Sequence, residues 1–433
     1  MKFNKSYLRN IIWLFFDVLL KFFLSFGMSA IIARYFGVEL FGLYSYLLAI
    51  FSIFILVSSL GMNGIVVREL VLSSKHEEVL GSAFFLQRAG AFVLSIFLVI
   101  WIFVSEDKGR DFYIIFFLML PILFLQSANI FKYWFEYKME AKYSVISQNI
   151  SLVIGAVLKL VLIHYGCGYQ YIIAVTIIEQ VVFILLVRCF FYRKLVGFKF
   201  KININVCFEL LSKSWPLIIS GLAFILFIRI DQIMIGEILS MKEVGVFSIV
   251  VKFIEASFFI PVILMSTFFP ALVELSEKSP EDYDKKMQLL YDIVVVIGIF
   301  IFIFIFIFGE PLIKYTFGVD YIDSVVQLKI YSLVCIFYYL SVVSGKWYIN
   351  AGLQKIAIFR NAIGLIVAIF LNLILIPIYG ITGASISTVI AYIFSSYFFD
   401  FFDLRTRKVF YQKTRSLFLV GVIGRLIEEV VKR

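Results

Sequence analysis

Residues 214–275 hold two apolar runs, each long enough to cross a bilayer, and both contain charges. The first follows Ser214-Trp215-Pro216, an N-cap residue with a proline in the first turn, and carries Arg229 and Asp231 well inside. A polar link, 236–243, leads to the second, 244–272, which carries Lys252, Glu255 and Pro261. A soluble helix does not present apolar surface on every side, and a membrane helix rarely keeps a charge without using it. The stretch therefore reads as two membrane spans with a polar interior.

The rest of the chain agrees. Of 433 residues 62% are hydrophobic and only 16% charged, where globular domains carry roughly a quarter. Twelve spans are expected: 11–34, 41–62, 82–104, 112–135, 145–165, 169–191, 215–236, 244–272, 292–308, 325–350, 356–378 and 382–402. Only helices and closed barrels satisfy the backbone in lipid, and a barrel would show short alternating segments. In the IFIFIFIF run, 299–306, both alternating residues are apolar, so it too reads as helix. Pro121, Pro261 and Pro377 fall inside spans, as hinges or merely as bends. The N-terminal run is interrupted by Asp17 and Lys21 and is longer than a signal peptide's apolar core, so it reads as a retained first span.

Lysines and arginines fall unevenly on the two sides. One set of loops and both termini hold 25, the opposite set six. Both termini are therefore expected in the cytoplasm, which requires an even number of spans. The net charge of +10 is explained by these loops, without nucleic acid as a partner. The chain also repeats itself. Residues 36–45 align with 239–248, and 158–163 with 371–376, at offsets of 203 and 213. Six spans per copy enter from the same side, so the copies would be parallel repeats about an axis along the membrane normal. The expected division is a bundle at 1–192, a basic cytoplasmic connector at 193–213, a bundle at 214–404 and a basic tail at 405–433. The tail segment 417–431 is too short and charged to span and reads as an interfacial helix.

Three blocks carry a resemblance. SWPLIISGLAFILFIRIDQIMIG with EVGVFSIVVKFIEASFFIPVILMSTFFPALVEL resembles the seventh and eighth helices of the polysaccharide (O-antigen) flippases. These belong to the multidrug/oligosaccharidyl-lipid/polysaccharide exporter superfamily. ARYFGVELFGLYSYLLAIFSIFILVSSLGMNGIVVREL resembles the family's first two helices, and RNAIGLIVAIFLNLILIPIYGITGASISTVIAY its last two. The resemblance implies an all-α membrane protein of two six-helix bundles in the bacterial inner membrane. It implies carriage of an undecaprenyl-diphosphate-linked oligosaccharide between leaflets, alongside membrane lipid, a polysaccharide polymerase and a chain-length regulator. The runner-up is a cation-coupled drug exporter of the same superfamily, which would favour interior carboxylates. A membrane polysaccharide polymerase is the third reading, and it needs a larger outer loop than this chain offers.

No P-loop, nucleophile elbow or HExxH motif is present, and no paired catalytic carboxylates. Four scattered cysteines and two histidines form no metal-ligand pattern. No catalytic residue, metal or cofactor is expected. The informative residues are the charges inside spans. Lys21, Arg88, Lys159, Arg229 and Lys252 are candidates for holding a diphosphate in a hydrated lumen. Asp17, Glu179, Asp231 and Glu255 are their candidate partners or coupling groups. Each has a structural alternative: Asp17–Lys21 and Lys252–Glu255 as helix-face ion pairs, Arg88 and Lys346 as cations snorkelling to a surface. Arg229 and Asp231, two apart, point about 200° from each other and cannot share a face. Lys252 has Glu255 one turn away, whereas Lys159 has no acid within four positions, so Lys159 is expected to be the freer cation.

The charge asymmetry puts the 193–213 connector in the cytoplasm. A single cysteine at Ser212, in a cysteine-free background, should resist membrane-impermeant maleimide in intact cells and react after lysis. Labelling in intact cells would reverse the topology.

Overall fold

The computed structural model describes residues 5–104, 109–422, 424 and 425, with side chains from residue 20 onward. All regular structure among them is helical. Nine of the described helices are long and apolar enough to cross a membrane, ten if the bent pair Val319–Tyr331 and Val334–Asn350 counts as one span. The chain is a multi-pass membrane protein. The phenylalanine-rich run lies inside the continuous helix Pro280–Thr316.

Three breaks follow the chemistry of proline and glycine. Met241–Lys278 is interrupted just before Pro261, whose missing N–H removes the Ser257 carbonyl's i+4 donor, and the Ile260 N–H bonds it instead at 3.1 Å. The Tyr339 hydroxyl donates to the same carbonyl at 2.9 Å. Pro121 begins a new helix after a turn at Leu120. Gly380, three residues beyond Pro377, has φ 59° and ψ −141°, which only glycine adopts cheaply. There Gln354–Ile393 folds back: a Cβ on Gly383 would lie 2.1 Å from the Leu375 carbonyl oxygen, and one on Gly364 3.0 Å from the Ser395 Cβ. The two arms therefore run antiparallel in close contact.

One expectation is corrected. Ser214 does not start a helix. The helix runs Ile204–Ile238, with Pro216 inside it. Its true N-cap is Asn203, whose side-chain oxygen accepts the Asn205 N–H at 3.0 Å. The ten residues before Ser214 are amphipathic, and Cys207 and Leu210 are buried, so they coil where a polar connector was expected. The preceding loop is strapped to the helix His76–Val104. Lys201 N–H donates to the Glu77 carbonyl, and Asn203 N–H to Ser82 Oγ. Gly81 permits this approach, because a Cβ there would sit 2.2 Å from the Lys201 carbonyl oxygen.

The chain divides into two compact units. The first comprises residues 1–36 and 47–225, the second 37–46 and 226–433. The first unit is built around an aromatic cluster in which Phe131, Trp134, Phe135 and Phe191 are buried together. In the second unit two segments that align at an offset of 203, 38–42 and 241–245, meet. A Cβ on Gly42 would fall 1.8 Å from the Met241 carbonyl oxygen, and one on Gly245 2.1 Å from the Val38 carbonyl oxygen. Positions 38 and 241 correspond under the same offset as 42 and 245, so the contact is reciprocal. Ser240 caps one of these helices by accepting the Glu243 N–H, as a Ser-x-x-Glu start predicts.

At its other end the second unit holds a fully buried ion pair. Lys413, on the tail helix Arg407–Leu417, donates to Asp400 Oδ2 at 2.6 Å, the Ser396 carbonyl at 2.6 Å and Ser344 Oγ at 3.0 Å. All three ammonium protons are satisfied. Tyr348 donates to the other Asp400 oxygen. Burial pushes the Lys413 ammonium down to about 8, against the pull of Asp400. The amphipathic tail helix described is thus Arg407–Leu417. Of the expected interfacial helix at 417–431, residues 423 and 426–431 lie outside the described residues, and 418–421 form turns.

Gly42→Ala and Gly245→Ala should each lower the melting temperature in detergent, by several degrees or to the point of no folded yield. Forcing a methyl into a backbone contact costs about 1–3 kcal/mol or more. Gly27→Ala, with nothing within 4 Å of its Cβ position, should be neutral or slightly stabilising.

Candidate functional site

The candidate charges of the second unit come from the helix Ile204–Ile238 and the helix Met241–Glu255, joined by the short turn at 239–240. Helical geometry separates Arg229 from Asp231, and the structure gives them different partners. Arg229 Nη1 lies 3.0 Å from Glu255 Oε1 and 3.5 Å from Gln232 Oε1. Gln232 in turn donates to Ser248 Oγ at 2.8 Å. Asp231 is buried and faces the Gly380 hairpin. Its Oδ1 accepts from Asn372 Nδ2 and its Oδ2 from Thr388 Oγ1, both at 2.6 Å.

Two expected pairings change. Glu255 is not the partner that holds Lys252; Arg229 has taken it. Lys252 is half-buried on the same helix and makes no hydrogen bond or ion pair among the described residues. It remains close enough to Glu255 and Arg229 to feel both charges. Nor is Lys159 the freer cation. It is buried and donates to Glu179 Oε1 at 2.8 Å, from the helix Lys142–His164 to the helix Tyr169–Lys194. Gly155, one turn before Lys159, makes room for that carboxylate: a Cβ there would lie 1.9 Å from Glu179 Oε1. A partner twenty residues away on the next helix escapes any search restricted to one helix face.

The remaining candidates stand apart. Lys21 donates to Gln148 Oε1 at 2.9 Å in the first unit. The Asp17 side chain lies outside the described residues. Arg88 is exposed and stacks on Phe84, 4.3 Å from the ring centroid, and Lys346 lies 5.1 Å from the Phe269 centroid. Both arrangements fit a cation carried out along an aromatic surface.

Chemically, the second unit offers two sites. Around Arg229, Glu255 and Lys252 there are two cations and one carboxylate, which leaves a net positive charge. Aromatic rings lie in the same region: Phe258 stacks on Tyr338 at 3.7 Å, and Tyr392 lies 4.7 Å from Phe227. Around Asp231 only oxygen donors and neutral hydrogen-bonding groups gather. Asn372 Oδ1 is buried there with no hydrogen-bond partner. Asp231, Asn372 and Thr388 together form an oxygen set suited to a proton or a hard cation.

A family model described as polysaccharide biosynthesis protein matches residues 7–276, well over half of the chain. The chain belongs to that family. The chain superposes on several solved transporters. It matches a lipid II flippase, MurJ, in an inward closed conformation, with a TM-score of 0.74, 16% identity and coverage of 98% of this chain and 96% of that one. An inward-facing multidrug resistance MATE transporter gives 0.70 at 14% identity, covering 91% and 94%. A transporter of the MOP superfamily from Pyrococcus furiosus gives 0.58 at 14% identity, covering 95% of each chain. No curated protein sequence matches the chain. These likenesses establish a MOP-type fold, and the solved structures named here are a flippase and transporters.

Lys159→Ala should leave the Glu179 carboxylate buried and unpaired, at a cost of about 3–5 kcal/mol. Thermal unfolding in detergent should show the loss, and Lys159→Met combined with Glu179→Leu should recover most of it. A silent Lys159→Ala would mean that the pair does not join the two helices.

Proposed function

We propose that the chain is a flippase that carries a polyprenyl-diphosphate-linked oligosaccharide, an O-antigen or capsule repeat unit, from the cytoplasmic to the periplasmic leaflet. The observation that carries this reading is Lys252, an interior cation beside an already neutral Arg229–Glu255 pair. A diphosphate supplies the missing negative charge and accepts charge-assisted hydrogen bonds. Membership of a polysaccharide biosynthesis family and the likeness to a lipid II flippase fit this ligand better than a cationic drug does. The Tyr338 and Tyr392 rings suit a sugar chain.

The proposal includes twelve passes with both termini in the cytoplasm. Lys5–Phe36 serves as the first pass, the bent pair at 319–350 as one, and the two arms either side of Gly380 as the last two. It also keeps the six-plus-six division, with bundles at 1–192 and 214–404 moving against each other for alternating access. Within it Asp231 takes the coupling role. It is an interior carboxylate without a cationic partner among the described residues, and the orphan Asn372 oxygen beside it favours a bound proton or small cation. Lys159 and Glu179 serve as a clasp between helices, and Lys252 replaces Lys159 as the cation nearest the phosphate.

Deleting the gene should leave lipid-linked oligosaccharide on the inner leaflet and remove polymer from the surface. Lys252→Ala should lower export at least several-fold at normal membrane abundance, and Lys252→Arg should restore part of it. Normal surface polysaccharide in the deletion strain, with new sensitivity to cationic dyes, would instead favour the drug exporter.

A further inference from the structure

Two tyrosine hydroxyls in the second unit are left over by the sites above. Tyr331 and Tyr392 are 6% and 5% exposed, and neither hydroxyl makes a hydrogen bond among the described residues. A native fold rarely leaves such groups unpaired without a use for them. Tyr392 follows Thr388 by one turn on the second arm of the Gly380 hairpin, and Tyr331 closes the helix Val325–Tyr331. Their rings are fixed. Tyr392 lies 4.7 Å from Phe227, one turn before Asp231, and 6.4 Å from Tyr338, while Tyr331 meets Phe247 edge-on at 5.7 Å. Both hydroxyls are near enough to feel Asp231 of one site and Arg229 and Glu255 of the other. They therefore lie where the two sites adjoin.

A hydroxyl carries one proton and two lone pairs, and it turns about its C–O bond while the ring stays still. Glu255 is committed to Arg229 at 3.0 Å, which leaves Asp231 as the uncompensated negative charge near both tyrosines. While Asp231 is charged, it draws the hydroxyl protons toward itself and turns the lone pairs toward Arg229. Lone pairs in that position repel an incoming phosphate. A cation or proton that neutralises Asp231 removes the pull, and the hydroxyls are then free to donate to a phosphate oxygen instead. Each hydroxyl is thus an element with two settings that both sites bias, which is the physical requirement for coupling between them. Both ligands favour the same setting.

We infer that the Tyr331 and Tyr392 hydroxyls link the two sites, so that a monovalent cation at Asp231 and the lipid diphosphate beside Lys252 bind cooperatively and are carried together. The inference rests on the diphosphate reading of Lys252 given above and adds the sign of its coupling. Coupling of binding is reciprocal, so each ligand raises the affinity for the other by the same factor. The carrier loaded with both is the favoured species, which makes the reaction a cotransport. An exchanger needs the opposite sign, with the cation leaving as the cargo binds.

The test is calorimetric titration of the full chain in nanodiscs with farnesyl diphosphate. Asp231→Asn removes the charge but keeps the local bonds, since its amide oxygen accepts from Thr388 and its NH2 meets the orphan Asn372 oxygen. It should bind the probe at least about fivefold more tightly, the lower end of coupling between sites. Tyr331→Phe/Tyr392→Phe keeps both rings, and in that background Asp231→Asn should lose most of its gain. Asp320→Asn removes a carboxylate at an exposed position and should leave the affinity as it is. In the unaltered chain, tighter binding in sodium than in choline would make the cation sodium, whereas a tight Asp231→Asn with no sodium effect would make it a proton. Weaker binding in Asp231→Asn, or in sodium, would overturn the proposal in favour of exchange. A full gain in the phenylalanine background would overturn it by taking the hydroxyls out of the coupling, and an equal gain in Asp320→Asn would reduce it to diffuse charge. Binding indifferent to residue 231 would remove the coupling and leave Lys252 as the diphosphate cation. Absence of binding in every variant would remove that reading, and the coupling with it.

Discussion

A charge held away from water is stabilised by another, and among the described residues four such matches join different helices. Lys159 meets Glu179, Arg229 meets Glu255, Asp400 meets Lys413 and Asp292 meets Arg425. Helices surrounded by lipid gain little from apolar contact with one another, because lipid tails are equally apolar. Buried polar pairs therefore supply specificity that hydrophobic burial cannot. Each pair fixes which helix face turns inward and at what height. Small residues complete the arrangement, as Gly155 does by leaving room for the Glu179 carboxylate.

Lys252 and Asp231, both in the second unit, have no oppositely charged partner within ion-pair distance among the described residues. Lys252 is a cation beside a pair that is already neutral. Asp231 is an anion held only by an amide and a hydroxyl. In a lipid-embedded fold such imbalance is costly unless a ligand or ion relieves it. One of these positions suits an anion and the other a proton or cation.

Much of the fold was legible in the sequence because hydropathy reads lipid directly. The apolar runs mark helices, and Gly380 with Pro377 separates the last two arms. The charges inside runs were equally visible, but their partners were not. Lys159 looked free because Glu179 is twenty residues away, and Glu255 looked committed to Lys252 because they share a helix face. Asn372 and Thr388 gave no signal at all, since a lone amide and a hydroxyl in apolar runs are unremarkable until the Gly380 fold brings them to Asp231. The N-cap at Ser214 failed for a different reason. Ser-Trp-Pro is a sound helix start in isolation, but buried Cys207 and Leu210 pull the preceding ten residues into the same helix. Asp292 and Asp400 sit near the ends of long apolar runs, where a charge looks like an ordinary boundary residue.

The reciprocal crossing at Gly42 and Gly245 differs in kind from all the charge pairs. It is made chiefly by backbone against backbone, with one methyl of Val38 beside it and no proton to gain or lose. Its strength is therefore indifferent to pH and to salt, and neither helix has a knob to withdraw before it can turn on the other. Such a contact behaves as a bearing rather than a latch. It holds two helix starts at a fixed separation while leaving their relative angle comparatively free, and it passes any change of state on to the charged groups further along the same helices.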